Sequence, residues 1–225
     1  MQIVYLGHSS FKLKGKNGSV VTDPFSQSSV GFSFPSTTTD IITVSHQHAD
    51  HNAIGLLKPT SRRERPFLVT QPGEYEVGGI SVFGVPTFHD DIAGALRGNN
   101  TVFTIFLEGI RLCHLGDLGH PLSTEQVEAI GSVDVVFCPV GGVITLDPAT
   151  AVKTIRQLEP STVIPMHYKT AKHEPSIFGE LKTVEEFLHT YGVEVEPVTK
   201  LEITSLKLPE ETEVVVLTPT ALSEA

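Results

Sequence analysis

Four metal-binding side chains lie within six residues in the pattern His46-x-His48-x-Asp50-His51. At this chain's own frequencies of histidine and aspartate, the pattern arises by chance on the order of once in a thousand chains. In an extended segment, residues two apart point the same way, so His46 and His48 can both reach one ion. The step from Asp50 to His51 turns a second pair toward a neighbouring ion. Because imidazole nitrogen and carboxylate oxygen suit zinc and similar divalent ions, the motif predicts a loop that serves two metals.

A site for two ions needs more ligands than this motif supplies. Further candidates come in the loops after three predicted strands, over residues 80–85, 110–114 and 162–164; they are His89, Asp117 and His167. If these strands run the same way, the loops meet at one rim of the fold, where sites on layered folds lie. Taken singly, each of the three is more often an ordinary residue, so their joint placement is what indicates a site.

The elements that must position these residues are short strands with a few helices between them. Predicted strands cover residues 3–6, 11–14, 19–22, 41–44, 67–70, 80–85, 102–107, 110–114, 133–138, 162–164, 193–196, 202–207 and 213–217. Predicted helices cover 124–130, 148–158 and the segment from Thr183 to near Gly192, and each begins at a capping residue. The tail over 218–225 is expected to fray.

Both halves of the chain are runs of short strands interleaved with helices, and no linker or repeat separates them. We therefore predict a single domain over residues 1–225, of the α/β class. Its architecture is a four-layer αββα sandwich of two mixed β-sheets flanked by helices. Two segments without periodicity, 24–39 and 168–176, are candidates for walls or lids over the metals.

The composition narrows the class of protein and its partners. Of 225 residues, 40% are hydrophobic and 19% are charged, and the mean hydropathy is +0.06, which excludes a disordered tail and a membrane protein. Sixteen Lys and Arg against 26 Asp and Glu give a formal charge of -10, which argues against a nucleic-acid partner. Two cysteines and an opening without an apolar leader predict a reduced, cytoplasmic setting. A homo-oligomer remains open.

The complete pattern resembles the metallo-β-lactamase superfamily. The resemblance runs from YLGHSSF at 5–11 and TDP at 22–24, through the histidine motif, to the later His, Gly-Asp and last His. PGEYE at 72–76 and LGDLGH at 115–120 are most similar to its small single-domain metal-dependent hydrolases related to ascorbate-6-phosphate lactonase. The resemblance implies a first metal on His46, His48 and His89, a second on Asp50, His51 and His167, and a bridging Asp117. No ligand is substituted, which favours an intact site.

The predicted function is a dinuclear metal-dependent hydrolase. Two neighbouring ions deprotonate a shared water, and the hydroxide that bridges them attacks carbonyl carbon or phosphorus. Asp50 is the candidate catalytic residue, because it faces this solvent and can orient the hydroxide and carry its proton. Zinc is the first choice of metal, and the ligands also suit manganese and iron. The ions outweigh the negative charges around them, so the predicted substrate is a small anionic ester, lactone or phosphodiester.

Two other functions stay open. One is a nuclease or phosphodiesterase of the same fold that acts on RNA or nucleotides, although the charge of -10 and the lack of a clustered basic groove weaken it. The other is a metal-occupied binding module without turnover, against which the unbroken ligand set argues.

The remaining histidines and the cysteines are interpreted from their positions. His114 alternates with a buried position on a strand and is expected in the core or behind a ligand. His173 and His189 are expected to be exposed. Cys113 and Cys138 are expected to be buried, inert thiols. The residues whose roles the sequence leaves open are His8, His120 and Tyr168.

Overall fold

The computed structural model describes residues 1–223. Its strands are β1 (Gln2–Gly7), β2 (Ser10–Lys14), β3 (Ser19–Thr22), β4 (Thr38–Thr39), β5 (Ile41–Thr43), β6 (Lys58–Pro59), β7 (Phe67–Val69), β8 (Gly73–Val77), β9 (Ile80–Phe88), β10 (Asn99–Leu107), β11 (Ile110–His114), β12 (Val135–Pro139), β13 (Thr162–Met166), β14 (Leu201–Glu202) and β15 (Glu213–Val214). Its helices are α1 (Gln27–Val30), α2 (Thr124–Ile130), α3 (Pro148–Leu158), α4 (Pro175–Phe178), α5 (Val184–Tyr191) and α6 (Thr220–Ser223), with a 3-10 turn at Ile54–Leu56. The last two residues of the tail predicted to fray lie outside the described residues.

Two mixed sheets contain most of these strands. The strand order is β14-β1-β2-β3-β5-β7 in the first sheet and β15-β13-β12-β11-β10-β9-β8 in the second, while β4 and β6 pair separately. The first sheet has a parallel part, β3 to β7, and the second has another, β11 to β15. The carboxyl ends of parallel strands lie at one edge of a sheet, so each sheet has an edge suited to a site.

The two sheets pack face to face around one core. The ring of Phe11 on β2 lies 4.4 Å from that of Phe137 on β12, and it also stacks on the ring of Tyr5 at 4.6 Å. These three rings are buried, as are Phe103 and Ile105 of β10. Burial of a large apolar side chain contributes about 1.5–3 kcal/mol, so this layer makes a rigid base for the loops at its edge.

Helices cover the outer face of the second sheet, and loops with short helices cover that of the first. The amphipathic helix α3 packs on β12 and on α5 through its apolar side, which includes Val152, Ile155 and Leu158. On the first sheet, Leu57 and Phe34 pack over a row of outward apolar residues on the strands. This arrangement agrees with the predicted αββα sandwich, with α2 and α3 at the predicted bounds.

The structure differs from the local predictions at five points. The loop 24–39 contains α1 and buries Phe25 and Phe32, which pack together. Residues 193–196 alternate as a strand would but pair with none in the described part of the chain, and the strand predicted at 202–207 ends at Glu202. The edge strand β8 has no apolar run, because most of its residues are exposed, so the sequence did not indicate it. Strand β9 extends to Phe88, through residues predicted to begin the loop after residue 85.

Candidate metal centre

The loops that carry the predicted ligands leave the same edge of the sandwich. Since β10 is antiparallel to both β9 and β11, these two run in one direction, and β12 and β13 are parallel to β11. Strands β9, β11 and β13 therefore end on the same side, just before His89, Asp117 and His167. In the facing sheet, β5 leads into the histidine motif that begins at His46. The structure thus brings all seven predicted residues into one cluster.

The first group consists of His46, His48 and His89. One ligand atom from each lies within 4.8 Å of the others. The ring centroids are 4.6 Å apart for His46 and His48, and 4.8 Å apart for His46 and His89. His46 and His89 are buried and His48 is exposed, so this group opens toward solvent at one side.

The second group consists of Asp50, His51 and His167, joined by His8. Ligand atoms of these four residues also lie within 4.8 Å of one another. The three histidines are buried, and the side chain of Asp50 is 17% exposed. His8, whose role the sequence left open, is thus part of the centre, with Nε2 at 3.2 Å from Oδ2 of Asp50.

Asp117 lies between the two groups. Its Oδ2 is 3.2 Å from Nε2 of His89 in the first group and 3.9 Å from Nε2 of His46. The same oxygen is 3.2 Å from Nε2 of His51 and 3.3 Å from Nε2 of His167 in the second group. A single carboxylate oxygen therefore faces four imidazoles.

The donor atoms of the centre are arranged to bind metal ions and not to hydrogen-bond with one another. Several are buried without a hydrogen-bond partner among the described residues: Nε2 of His46, of His51 and of His167, and both oxygens of Asp117. Burial of polar atoms without partners is costly, and buried polar groups are otherwise almost always bonded. Imidazole nitrogens and a carboxylate that point into a shared space form the donor set of zinc, manganese and iron sites. The residues present therefore fit divalent metal.

Asp23 supports the centre from behind, a role that the sequence did not reveal. This buried carboxylate accepts a hydrogen bond from Nδ1 of His51 at 2.9 Å and from the backbone N–H of Ser45 at 2.8 Å. The bond fixes the tautomer of His51, so its Nε2 lone pair points at the second group and at Asp117. The available signal was an aspartate at the end of a buried strand, 28 residues before its partner.

The histidines and carboxyls of the centre differ in their pKa values and therefore in their charge. Burial, the largest influence, lowers the pKa of His46 to about 3 and that of His8 to about 4, so both rings are neutral near pH 7. Burial also acts to lower the pKa of His51, but the charges of Asp117 and Asp50 hold it well above its ordinary value. Against the effect of burial, the neighbouring histidines hold the pKa of both carboxyls below the usual range. A cation is therefore stabilised among these carboxylates.

Two residues of the centre have backbones in the left-handed conformation. His8 has φ 55° and His167 has φ 52°, a region that costs non-glycine residues about 1–3 kcal/mol. The carbonyl of His8 accepts from the backbone N–H of His167 at 2.9 Å and from the hydroxyl of Tyr5 at 2.5 Å. These bonds hold the two strained turns together, which fixes the positions of both rings.

Asn100 and Gly116 position Asp117. The side-chain oxygen of Asn100 accepts from the backbone N–H of Asp117 at 3.0 Å, and its amide donates to the carbonyl of Leu115 at 3.0 Å. Gly116 has φ +58°, and a Cβ there would collide with Asn100 and Ser45. Only glycine fits this turn without strain.

The other histidines have structural contacts. The backbone N–H of Gly116 donates to Nδ1 of His114, whose Nε2 then donates to the carbonyl of Ser9 at 2.8 Å. His120 accepts from the backbone N–H of Phe88 at 3.1 Å. His189 is exposed as predicted, but the prediction for His173 is wrong, because this ring is buried against His8 with 4% of its surface exposed.

Tyr168 and both cysteines belong to the core. Tyr168 is 5% exposed, and its ring lies 6.3 Å from that of Tyr5, so it does not reach the surface of the site. Cys113 and Cys138 are buried, as the sequence predicts. Burial raises the pKa of the Cys113 thiol to about 12, which keeps it protonated and inert.

The match to known families decides the assignment. Residues 2–167 match the family described as the beta-lactamase superfamily domain. The chain belongs to the metallo-β-lactamase superfamily. A protein of Desulforamulus reducens named UPF0173 metal-dependent hydrolase is 31% identical over 218 residues, which cover 83% of this chain and 92% of that protein.

Solved structures of this superfamily agree with the fold. One, from Thermotoga maritima, is of a protein proposed to be a Zn-dependent hydrolase of the metallo-beta-lactamase superfamily; it is 38% identical, with a TM-score of 0.78 over 96% of this chain and 97% of that one. Igni18, a metallo hydrolase from Ignicoccus hospitalis, is 20% identical with a TM-score of 0.65 over 96% of this chain and 94% of that one, a likeness of fold alone.

These comparisons confirm the predicted superfamily, its αββα fold and the class of metal-dependent hydrolase. In the described part of the chain, no helix has the length and apolar character needed to cross a membrane.

Proposed function

We propose that this metal-dependent hydrolase uses two divalent ions to cleave a small anionic ester, lactone or phosphodiester. The first ion would be held by His46, His48 and His89, the second by Asp50, His51 and His167, and Asp117 would bridge them. The observation that carries this proposal is the set of four imidazole nitrogens 3.2 to 3.9 Å from one oxygen of Asp117. Two cations between these groups would satisfy nitrogens and oxygens that otherwise have no bonding partner.

Zinc is the metal that we propose first, with manganese and iron as alternatives that the same ligands accept. Divalent ions of this kind lower the pKa of a water molecule and polarise the substrate oxygen. The chain's own contribution is to fix its imidazoles in the correct tautomer, as Asp23 does for His51, and to exclude bulk water from a mostly buried cluster.

Asp50 is the proposed catalytic residue. Its side chain is 17% exposed, whereas the side chains of His51 and His167 are fully buried, so Asp50 is where solvent meets the second group. Nε2 of His8 lies 3.2 Å from Oδ2 of Asp50 and orients this carboxylate. In this orientation, Oδ1 would accept the proton of the attacking water and later return it to the leaving group.

The charge and the depth of the site support a small anionic substrate. Two divalent ions would carry four positive charges, against three negative charges on the ligands Asp50 and Asp117 and on a bound hydroxide, so the ligand shell of the loaded site attracts anions. Among the proposed ligands, only His48 is exposed and only Asp50 is partly so, which leaves a narrow approach. The formal charge of -10 over the chain disfavours the nuclease alternative, because a phosphate backbone would meet an acidic surface.

The domain, the location and the assembly state stay predictions. We propose that residues 1–225 form one domain, because a single core cluster includes residues of both sheets. A cytoplasmic setting is a prediction from composition, and a homo-oligomer remains open.

Metal analysis of the purified protein, followed by hydrolysis assays, tests the proposal. The probes are bis(p-nitrophenyl) phosphate, p-nitrophenyl acetate and γ-butyrolactone, each assayed with and without chelator. We expect turnover of at least one probe, loss on chelation and recovery with zinc or manganese. Stoichiometric metal without turnover of any probe would instead favour the non-catalytic binding module.

A further inference from the structure

A chain of hydrogen bonds leads from the loop 168–176 to the proposed catalytic carboxylate. The backbone N–H of Thr170 donates to Nδ1 of His173 at 3.1 Å. Nε2 of His173 lies 3.3 Å from Nδ1 of His8, and Nε2 of His8 lies 3.2 Å from Oδ2 of Asp50. The two histidines are buried, with 4% and 1% of their surfaces exposed.

The direction of every hydrogen bond in this series follows from the first donor, the backbone N–H of Thr170. A backbone N–H can only donate, so Nδ1 of His173 is the acceptor and carries no proton. The hydroxyl of Thr170, 2.9 Å from the same nitrogen, then donates to it as well. The neutral ring then has its proton on Nε2 and donates to Nδ1 of His8. His8 in turn has its proton on Nε2 and donates to Asp50. A cationic form of either histidine would set two N–H groups against each other, so the neutral arrangement is the one that satisfies all the contacts.

We propose that His173 is a positioning residue that makes His8 a hydrogen-bond donor to Asp50 and keeps it from binding metal. This inference rests on the proposed function, in which Asp50 acts in catalysis. One ring nitrogen of His8 lies within 4.8 Å of donor atoms of Asp50, His51 and His167, so by distance alone His8 qualifies as a fourth ligand. The nitrogen that faces Asp50 is Nε2. With its proton on Nε2, it has no lone pair to give. To bind metal through Nε2, His8 would need its proton on Nδ1. That proton would then face the N–H of His173, whose tautomer is fixed by the bond from Thr170.

The surroundings of His173 hold it in this position. Its ring packs edge-on against Phe32 of the loop 24–39 at 5.2 Å and lies 5.1 Å from the ring of Phe178. The two loops are joined by a hydrogen bond from the backbone N–H of Glu174 to the carbonyl of Val30 at 2.9 Å. The segments that the sequence marks as candidate walls of the site therefore also fix the geometry of its carboxylate.

The first experiment reads the tautomers by NMR, independently of activity. Two-bond proton–nitrogen correlation spectra of the ¹⁵N-labelled, chelator-treated protein at pH 7 report which ring nitrogen carries the proton. We expect both His8 and His173 as neutral rings protonated on Nε2. In the variant His173→Phe, which keeps a ring among the aromatic neighbours, the Nδ1 signal of His8 should shift toward that of an unbonded nitrogen. In His173→Gln, whose amide can donate to His8, the shift should be smaller.

The second experiment separates positioning from metal binding. The variant His8→Gln keeps a side-chain N–H donor and should keep the zinc content of the wild type, whereas His167→Ala should lower it. On the probe that the wild type turns over, His173→Phe should lower kcat about tenfold or more, the usual effect of a residue that supports a ligand, with KM changed less than twofold. His173→Gln should recover most of that loss.

Circular dichroism and thermal melts show whether each variant is folded. If His173→Phe does not fold, the comparison of the wild type with His173→Gln replaces it. A ring of His8 protonated on Nδ1 would overturn the proposal, as would loss of zinc in His8→Gln. An unchanged kcat in folded His173→Phe would overturn it too. If the wild type turns over no probe, the proposed function fails, while the NMR spectra and zinc contents still decide whether His173 sets the tautomer of His8.

Discussion

His51 donates from Nδ1 to Oδ2 of Asp23 at 2.9 Å, and this bond determines what its other nitrogen can do. Nε2 of the same ring lies 3.2 Å from Oδ2 of Asp117. An unprotonated Nε2 and a carboxylate oxygen repel at that distance, so the contact is stable only with a cation between them or a proton on the nitrogen. The proton and the metal therefore compete for His51.

The pH dependence of stability should change when metal is removed. The folded pKa of His51 is raised by Asp117 and Asp50, so its contribution to stability is complete below about pH 6.5 and is lost as the pH rises toward the folded pKa. His8 and His46 have folded pKa values lowered to about 4 and about 3, so stability falls as the pH drops below about 6.5. We expect chelator-treated protein to be most stable near pH 6.5, measured by urea unfolding between about pH 5 and pH 9.

Bound zinc should prevent the loss of stability that metal-free protein shows as the pH rises above about 6.5. A bound ion takes the place of the proton on His51, so the free energy of unfolding should stop falling above about pH 6.5 when zinc is saturating. The control is the same series in chelator with magnesium, a poor partner for imidazole. An alkaline decline of equal slope with and without zinc would contradict the competition between proton and metal.

Removal of the negative charge of Asp23 should weaken the site. In Asp23→Asn, only one oxygen remains for the donors that converge from His51 and Ser45, so one of them meets an amide N–H. We expect zinc affinity to fall about 10–100-fold and stability to fall by about 1–3 kcal/mol, measured by competition with a chromophoric chelator and by urea unfolding.

The matched control for Asp23→Asn is Thr43→Val. Thr43 is buried at the end of β5, and its hydroxyl has no partner among the described residues. The substitution keeps its shape, so zinc affinity should not change. If Thr43→Val weakened zinc binding as much as Asp23→Asn, the effect would belong to packing rather than to the orientation of His51.

The ligand cluster could be predicted because each ligand directly follows a strand, and strand direction is a regular property of the fold. His89, Asp117 and His167 come within three residues of the ends of β9, β11 and β13. Their convergence thus depends on topology, which the alternation of short strands and helices indicates. The resemblance to a family added the division of the ligands between two ions.

The supporting residues could not be predicted, because their roles depend on contacts between distant segments. His173 looked exposed within a polar loop, and its burial results from Phe32 and Phe178 closing around it. Asp23 acts through a ring 28 residues away. No local pattern of hydrophobicity encodes such pairs, since each side chain is unremarkable until the loops are folded.

Removal of a ligand of the proposed second ion should abolish activity and spare the fold. Asp50→Ala and His167→Ala alter loops at the rim, while the core between the sheets is untouched. We expect bound metal to fall by about half and activity by about a hundredfold or more, measured by elemental analysis and probe hydrolysis. Asp91→Ala, at an exposed neighbouring carboxylate, should behave as the wild type. Loss of the folded state in both ligand variants would indicate structural metals.

Gly116→Ala should disturb Asp117 more than backbone strain alone explains. Gly116 and Gly192 both have positive φ, +58° and +90°, so alanine at either position should cost about 1–2 kcal/mol for the left-handed conformation. A Cβ at Gly192 meets nothing within 4 Å, whereas one at Gly116 collides with Asn100 and Ser45. Gly116→Ala should therefore lose about 1–3 kcal/mol more than Gly192→Ala in urea unfolding, the usual cost of overpacking. It should also weaken zinc binding, because Asn100 holds the backbone of Asp117. Equal losses in the two variants, with zinc affinity unchanged, would mean that the turn relaxes without moving the carboxylate.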